Sequence, residues 1–139
     1  MSIPGDWTTG QLVGLSPTEC LDLLRTQQIG RVVFCDDRGP LALPVNFVVQ
    51  DGTILLRTAP SNSVARHLRE SSTCAFEVDA IEPELRAGWS VLVRGSASVV
   101  RHLSPDPEAH WPGPWPAGSR HLLLRITPDE LTGRRLVPR

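Results

Sequence analysis

Apolar and polar residues alternate in short segments between Arg31 and Leu136, and turn-forming residues separate these segments. An apolar residue at every second position is typical of a strand that buries one face. The pattern predicts about six strands. Their predicted ranges are Arg31–Cys35, Leu41–Gln50, Thr53–Thr58, Thr73–Asp79, Trp89–Arg101, His121–Ile126 and the strand-like Leu131–Leu136.

The connections between these segments are typical of hairpins. Asp36–Pro40 has the composition of a turn, and Asp51-Gly52 is a dipeptide that favours a tight two-residue turn. A longer loop is predicted at Ala80–Ala87. Because hairpins join antiparallel neighbours, the sequence predicts a mainly β fold, a small antiparallel barrel with helices at its ends.

Two short helices are predicted. Ser16 is a candidate N-cap, Pro17 fits the first helical position and Glu19 completes a capping box, and this helix is expected to end near Gln28. The second helix is predicted from Ala59 to Glu70, directly after the third strand.

The length of 139 residues corresponds to one domain. We assign residues 15–139 to it and residues 1–14 to a flexible N-terminal arm.

The net charge of −1 argues against nucleic acid or an anionic membrane as the main partner. No apolar run reaches the roughly 20 residues that span a bilayer, and the N-terminus lacks the features of a signal peptide. The protein is therefore expected in the cytoplasm.

All 14 basic residues are Arg, and neither Lys nor Tyr occurs. The absence of Lys excludes a Schiff-base enzyme, whereas guanidinium groups suit phosphate and carboxylate ligands. The three cysteines Cys20, Cys35 and Cys74 match no disulfide framework or zinc motif and are interpreted as reduced structural residues. The four histidines show no metal-ligand spacing, so no metal site is predicted.

Polar residues interrupt or end four of the predicted strands, at Arg31, Asn46, Arg57-Thr58 and Ser90. A polar group within an apolar strand lowers stability unless it has a partner. Several such groups in one small domain suggest a shared ligand, and the arginines favour an anionic one. The alternative is structural: Asn46 and Ser90 bonded to neighbouring backbone, and Arg57 and Arg94 in cross-strand ion pairs.

The order of short motifs along the chain resembles that of a known family. These motifs are Gly-Arg-x-x-Phe at residues 30–34, Pro-Val-Asn at 44–46, Arg-Thr-Ala-Pro at 57–60, Phe-Glu-Val-Asp at 76–79, Gly-Trp-Ser-Val-x-Val-Arg-Gly at 88–95, Pro-Trp at 114–115 and Arg-Ile at 125–126. Together they are similar to the pyridoxamine 5′-phosphate oxidase-like family of FMN-binding split barrels, specifically its short actinobacterial-type members. The resemblance spans residues 15–136.

This resemblance implies a split-barrel homodimer with two FMN sites at the subunit interface, each built from both chains. Leu43, Pro44, Val45 and Asn46 would flank the flavin ring. Arg57 and Thr58 would lie near the ribityl chain and phosphate. The remaining implied contacts are the phosphate-binding turn Ser61, Asn62 and Ser63, and the second-subunit residues Trp89, Ser90, Trp115 and Arg120.

The phosphate-binding turn differs from the family pattern at one position. Related sequences commonly have a Lys where this chain has Ser63, so a cation is missing there, and nearby Arg66 is a candidate replacement. A helix N-terminus after Pro60 would still offer backbone N–H groups to a phosphate.

The resemblance implies an FMN-binding oxidoreductase that transfers electrons or hydride to a small organic substrate. Because the flavin performs the redox chemistry, no side chain is assigned as catalytic. One alternative is a deazaflavin-dependent reductase on the same fold. Another is a non-catalytic carrier or sensor that binds a flavin or haem.

Overall fold

The computed structural model describes residues 10–58, 66–68, 73–100 and 122–138. Within these ranges it contains one α-helix and seven strands, and residues 66–68 form a further helical turn. The elements are β1 Gln11–Gly14, α1 Pro17–Leu24, β2 Ile29–Asp36, β3 Gly39–Gln50, β4 Thr53–Thr58, β5 Thr73–Glu82, β6 Ala87–Val99 and β7 Leu122–Val137.

The strands form one antiparallel sheet that closes on itself. The strand order is β1-β7-β4-β3-β2-β5-β6, and an additional pairing between β6 and β7 closes the six strands from β7 to β6. Six strands therefore form a ring, and β1 lies outside it along β7. This closed antiparallel sheet confirms the predicted small barrel.

The last strand is long enough to use both of its edges. One edge of β7 pairs with β6 from residue 124 to residue 136. The other edge pairs with β4 over Leu122–Ile126 and with β1 over residues 134–137. By pairing with β6 and β4 at once, β7 closes the barrel.

The sequence predicted two short strands here, separated at Thr127–Glu130. In the structure they are one strand, in which the register shifts because Arg94 pairs with Glu130 but Gly95 pairs with Pro128. Asp129 is the extra residue of this β-bulge. A bulge tolerates Pro128, which has no N–H to donate to a ladder, so the proline does not end the strand.

Two hairpins show how turn chemistry sets the register. Asp51 and Gly52 both have positive φ, 51° and 73°, as a type I′ turn requires, and this predicted hairpin is confirmed.

The loop predicted at Ala80–Ala87 is shorter in the structure. Strand pairing continues to Glu82 and resumes at Ala87, and the turn between them contains Arg86 at φ 51°.

The predicted capping box of α1 is confirmed. The backbone N–H of Glu19 donates to Ser16 Oγ at 3.2 Å, and the backbone N–H of Ser16 donates to Glu19 Oε1 at 3.0 Å. The helix ends at Leu24, one turn before the predicted Gln28. No helix within the described ranges is long and apolar enough to cross a membrane.

Part of the predicted N-terminal arm, residues 1–14, is a strand. Gln11–Gly14 forms β1 and pairs with β7, while residues 1–9 lie outside the described ranges. The four residues of β1 are all exposed, so the strand has no buried face for a sequence pattern to reveal. Its position is instead determined by backbone pairing with residues 134–137 of β7.

The barrel interior is filled by alternate side chains of the strands and closed by α1. Phe47 and Phe76 meet edge to face, with ring centroids 5.0 Å apart. Cys20 and Leu24 of α1 are fully buried in the same core.

Cys74 is also buried, which raises the pKa of its thiol to about 11. Cys35, in contrast, is exposed and lies outside the core.

We predict that Gly30→Ala destabilises the protein. A Cβ on Gly30 would overlap the ring of Phe76, with the two Cε atoms only 2.9 Å away. Overpacking of a core costs roughly 1–3 kcal/mol, and urea denaturation would measure this loss in the free energy of unfolding. Gly14→Ala is the control because no atom lies within 4 Å of its added Cβ. Equal stability of the two variants would contradict the packing described for Gly30.

Candidate functional site

The outer face of the barrel carries the polar residues predicted from β3 and β4. Leu56 pairs with Phe47 on one side and with Leu124 on the other, and all three are buried. Because side chains alternate along a strand, the neighbouring Arg57 and Asn46 point outward. Ile29 pairs with Asn46, and Arg57 pairs with Leu123. Asn46 and Arg57 each lie one residue beyond the Phe47–Leu56 pair, so they are adjacent on the outer face. We call these four residues the outer row.

The other predicted residues of these strands divide between the two faces. Pro44 pairs with Arg31 on the outer face and is exposed. Leu43 and Val45 pack against the hydrophobic core, so only their backbone is available to a ligand on the outer face. Thr58 is only 6% exposed and is paired with Leu122 on the inner side. The structure thus brings Pro44, Asn46 and Arg57 together on one surface.

Arg125 adds a second guanidinium group to this surface. It pairs with Leu55 and lies diagonally from Arg57, at roughly 7 Å for such neighbours in a sheet. Its Nε atom is buried and donates to no acceptor among the described residues. A buried donor without an acceptor is costly, and a bound anion would satisfy it.

Arg125 belongs to one of the family motifs, but the sequence predicts no ligand contact for it. The available signal was its position between Leu124 and Ile126, both fully buried. Strand alternation therefore placed Arg125 outward, on the face that carries Arg57. Only the pairing of β4 with β7 shows that the two arginines are neighbours.

The predicted phosphate-binding turn and two of the predicted second-subunit contacts belong to segments outside the described ranges. Ser61, Asn62, Ser63, Trp115 and Arg120 lie outside the described residues. Residues 66–68 are described and helical, inside the predicted helix Ala59–Glu70, and contribute the buried Leu68 and the ring of His67, which stacks on Phe34 at 4.5 Å.

Trp89 and Ser90 are adjacent on β6 and therefore point to opposite faces. Ser90 pairs with Asp79 on the outer face. Trp89 pairs with Ala80 and Arg135 and lines a cavity of about 250 Å³ at the end of β5, β6 and β7. Within one chain, two strands separate β6 from β3, so neither residue joins Asn46.

A pair of acidic side chains lies on the outer face beside the outer row. Glu77 and Asp79 of β5 face Arg31, whose Nη1 lies 3.5 Å from Glu77 Oε1 and 3.7 Å from Asp79 Oδ2. Glu77 Oε1 is buried and lies in no hydrogen bond within the described ranges. Burial first, and then the neighbouring Asp79, raises the pKa of Glu77 to about 7, although Arg31 acts in the opposite direction. We call Glu77 and Asp79 the carboxyl pair.

Other charges on this face are paired across strands. Arg94 Nε lies 3.8 Å from Glu130 Oε2, and both side chains are largely exposed. This contact agrees with the cross-strand ion pair that the sequence allowed for Arg94. An exposed pair of this kind contributes little to stability.

The outer row and Arg125 together suit an anionic ligand with a flat apolar part. Arg57 and Arg125 supply permanent positive charge, and Pro44 and Ile29 supply apolar surface beside the amide of Asn46. A phosphate on a planar aromatic group has this combination of properties. Within the described ranges, no group of His, Cys, Asp and Glu could hold a metal ion.

The closed antiparallel ring of six strands is a split-barrel architecture. A family model for pyridoxamine 5′-phosphate oxidase matches residues 16–135. The chain therefore belongs to the pyridoxamine 5′-phosphate oxidase family, as its motifs predicted.

Three known proteins illustrate the range of similarity. An uncharacterized protein of Mycobacterium tuberculosis is 34% identical over 134 residues, which cover 91% of this chain and 87% of the relative. The structure of an FAD binding protein from Mycobacterium smegmatis shares 35% identity with a TM-score of 0.74, covering 88% of this chain and 98% of that one.

The third is an FAD and heme binding protein, also from Mycobacterium smegmatis. It shares 18% identity with a TM-score of 0.67 and covers 94% of this chain and 76% of that one. At this identity the likeness concerns the fold alone.

We predict that Arg125→Met does not destabilise the ligand-free protein. The substitution keeps the length of the side chain while removing a buried donor that has no acceptor, so the Tm should equal that of the native chain or exceed it by up to about 5 °C. Thermal unfolding measures this. Arg94→Met, which removes an exposed ion pair, is the control and should change Tm by a few degrees at most. A large fall in Tm specific to Arg125→Met would mean that this guanidinium is structural.

Proposed function

We propose that the protein is an FMN-binding oxidoreductase that acts as a homodimer and transfers electrons or hydride to a small organic substrate. One observation carries the proposal: Arg125, with its buried and unsatisfied Nε, lies beside Arg57 on the outer face. Two guanidinium groups at this spacing suit a phosphate. The flavin named for the relative of 35% identity supports the same class of ligand.

In this proposal Arg57 and Arg125 bind the FMN phosphate, and the turn at Ser61, Asn62 and Ser63 completes its shell. Pro44 offers apolar contact to the ring. The amide of Asn46 can donate or accept a hydrogen bond at the edge of the ring. When bound, the flavin supplies the redox chemistry, while the chain orients it and limits its contact with water.

The described residues of a single subunit supply only one wall of such a site. Pro44 is exposed and Asn46 is half-buried, so a ring placed on them would leave its other face in water. Binding sites usually bury most of the ligand surface. A second copy would supply the missing wall, which we assign to Trp89, Ser90, Trp115 and Arg120 of the partner. Trp89 and Ser90 point to opposite faces. We expect Trp89, which lines the cavity at the end of β5, β6 and β7, to contact the ring, and Ser90 to contact the other subunit in the interface.

A non-catalytic flavin carrier is the second candidate. The residues gathered on the outer row include no carboxylate, histidine or thiol that could act as an acid or base, and a carrier needs none. A deazaflavin or a haem is a further possible ligand of the same surface. Turnover with a nicotinamide donor separates an enzyme from a carrier, and the absorbance spectrum separates the cofactors.

We also place the protein in the cytoplasm. All three cysteines are unpaired in the structure, which is the state expected in a reducing compartment.

We predict that FMN binds to the native dimer and that Arg57→Ala weakens this binding about 10- to 100-fold. A charge-assisted hydrogen bond to a phosphate contributes roughly 1.5–3 kcal/mol, and each 1.4 kcal/mol corresponds to about tenfold in Kd. Flavin fluorescence titration measures the change. Arg125→Met is expected to weaken binding to a similar degree while the protein stays folded.

Arg38→Ala is the matched control, since Arg38 lies in the exposed turn between β2 and β3. The same titration with riboflavin, which lacks the phosphate, should show no effect of either Arg57→Ala or Arg125→Met. Equal losses for FMN and riboflavin would contradict a phosphate contact. Failure of the native protein to bind FMN or FAD would reject the flavin proposal.

A further inference from the structure

The cavity of about 250 Å³ at the end of β5, β6 and β7 lies on the face of the sheet that continues from the barrel interior. Val78 of β5 and Val91 of β6 are buried in the core, and Ala80 and Trp89 are the next residues on the same face. Six of the lining side chains share this face by strand alternation: Ala80, Glu82, Ala87, Trp89, Arg135 and Val137. The cavity therefore lies on the face opposite to the outer row.

Two small side chains beside Trp89 leave this space open. Ala80 pairs with Trp89 across the β5–β6 hairpin, and Ala87 lies two residues before Trp89 on the same face. A methyl group is too small to cover an indole, so the half-buried Trp89 lines the cavity. An engineered cavity of about 150 Å³ binds benzene. This cavity therefore has room for a benzene-sized ring with a short polar tail.

Two opposite charges flank Trp89. Arg135 of β7 pairs with Trp89 directly, whereas Glu82 of β5 is its diagonal neighbour, at roughly 7 Å for such positions in a sheet. Within the described part of the chain, neither Glu82 nor Arg135 takes part in an ion pair within 4 Å. The charge of Arg135 also acts on Glu19 of α1, but that carboxylate accepts the backbone N–H of Ser16. Both charges beside Trp89 are therefore available to a ligand.

A ligand that matches these groups carries both charges on one small, flat body. An apolar ring contacts the indole of Trp89, and an ammonium group close to an indole gains a cation–π attraction. Arg135 can donate two parallel hydrogen bonds to a carboxylate, while Glu82 accepts a hydrogen bond from the ammonium group. A ligand with a single charge would satisfy one of the two side chains and leave the other without a partner.

We infer that this cavity binds a small zwitterion with a flat apolar body, the class of molecule to which aromatic amino acids belong. The site is formed within one chain, so binding needs neither the flavin nor the second copy of the proposed function. A ligand held here would lie beside the flavin ring that we assign to Trp89, in the place of a small organic substrate. Only that placement rests on the proposed function.

Isothermal titration calorimetry of the full chain with L-phenylalanine tests the inference. Two analogues share its ring but lack one charge each, since 3-phenylpropionate has no ammonium group and phenethylamine has no carboxylate. We expect both analogues to bind about fivefold more weakly than L-phenylalanine, because each loses one charged contact at a partly solvated site.

Variants of the two charged residues should show a crossed pattern. Arg135→Gln should weaken L-phenylalanine about fivefold and leave phenethylamine unchanged, because that analogue has no carboxylate. Glu82→Gln should weaken L-phenylalanine to the same degree and leave 3-phenylpropionate no weaker than before. Arg134→Gln is the control, because Arg134 is adjacent on β7 but points to the opposite face, where it pairs with Ser90.

Ala80→Leu tests the cavity itself, since it fills the space without removing a charge and should abolish binding. Thermal unfolding checks that this variant is folded, and the crossed pattern decides the question if it is not. Undetectable binding of L-phenylalanine in the millimolar range would overturn the site, as would binding that folded Ala80→Leu retains or equal losses in Arg135→Gln and Arg134→Gln. A singly charged analogue that binds as tightly as L-phenylalanine would overturn the zwitterion. FMN is absent from these titrations, so a failure of the flavin proposal produces none of these results.

Discussion

The pairing of β7 with both β6 and β4 is the constraint on which the rest of this structure depends. Without it the sheet would be open, and Arg57 and Arg125 would not be neighbours. The bulge at Asp129 makes this closure possible, because it adds local twist to a strand of 16 residues. Gly95 is needed opposite the bulge, since a Cβ there would collide with the backbone carbonyl of Thr127.

The barrel also explains why the candidate site lies on its outside. Among the described residues, the interior is filled by packed side chains such as Phe47 and Phe76. Polar residues on the same strands point the other way by alternation, and Asn46 and Arg57 meet there because β3 and β4 form a tight hairpin. A large planar ligand of a barrel with a filled interior would bind on its surface.

Local patterns predicted much of this fold, and non-local pairings account for what they missed. The capping box at Ser16 and the turn at Asp51-Gly52 depend on residues close in sequence, so both were predictable. The sequence predicts a strand break at Pro128. The bulge that accommodates this proline arises from the pairing of β7 with β6, so the local sequence does not reveal it. The family motifs predicted a ligand contact for Arg57, whereas the position of Arg125 beside it follows only from the pairing of β4 with β7. Buried and exposed cysteines in similar apolar contexts, Cys74 and Cys35, could not be separated by sequence alone.

The short strand β1 has a consequence for how the molecule opens. Its four residues bury no side chain, so backbone hydrogen bonds to residues 134–137 of β7 are its main attachment. Such an element detaches at a lower free energy than the barrel it covers. Each detachment uncovers four residues of β7 as a bare sheet edge, which the corresponding strand of another molecule can occupy. While it is paired, β1 therefore protects this edge of the closing strand from strand exchange with another molecule.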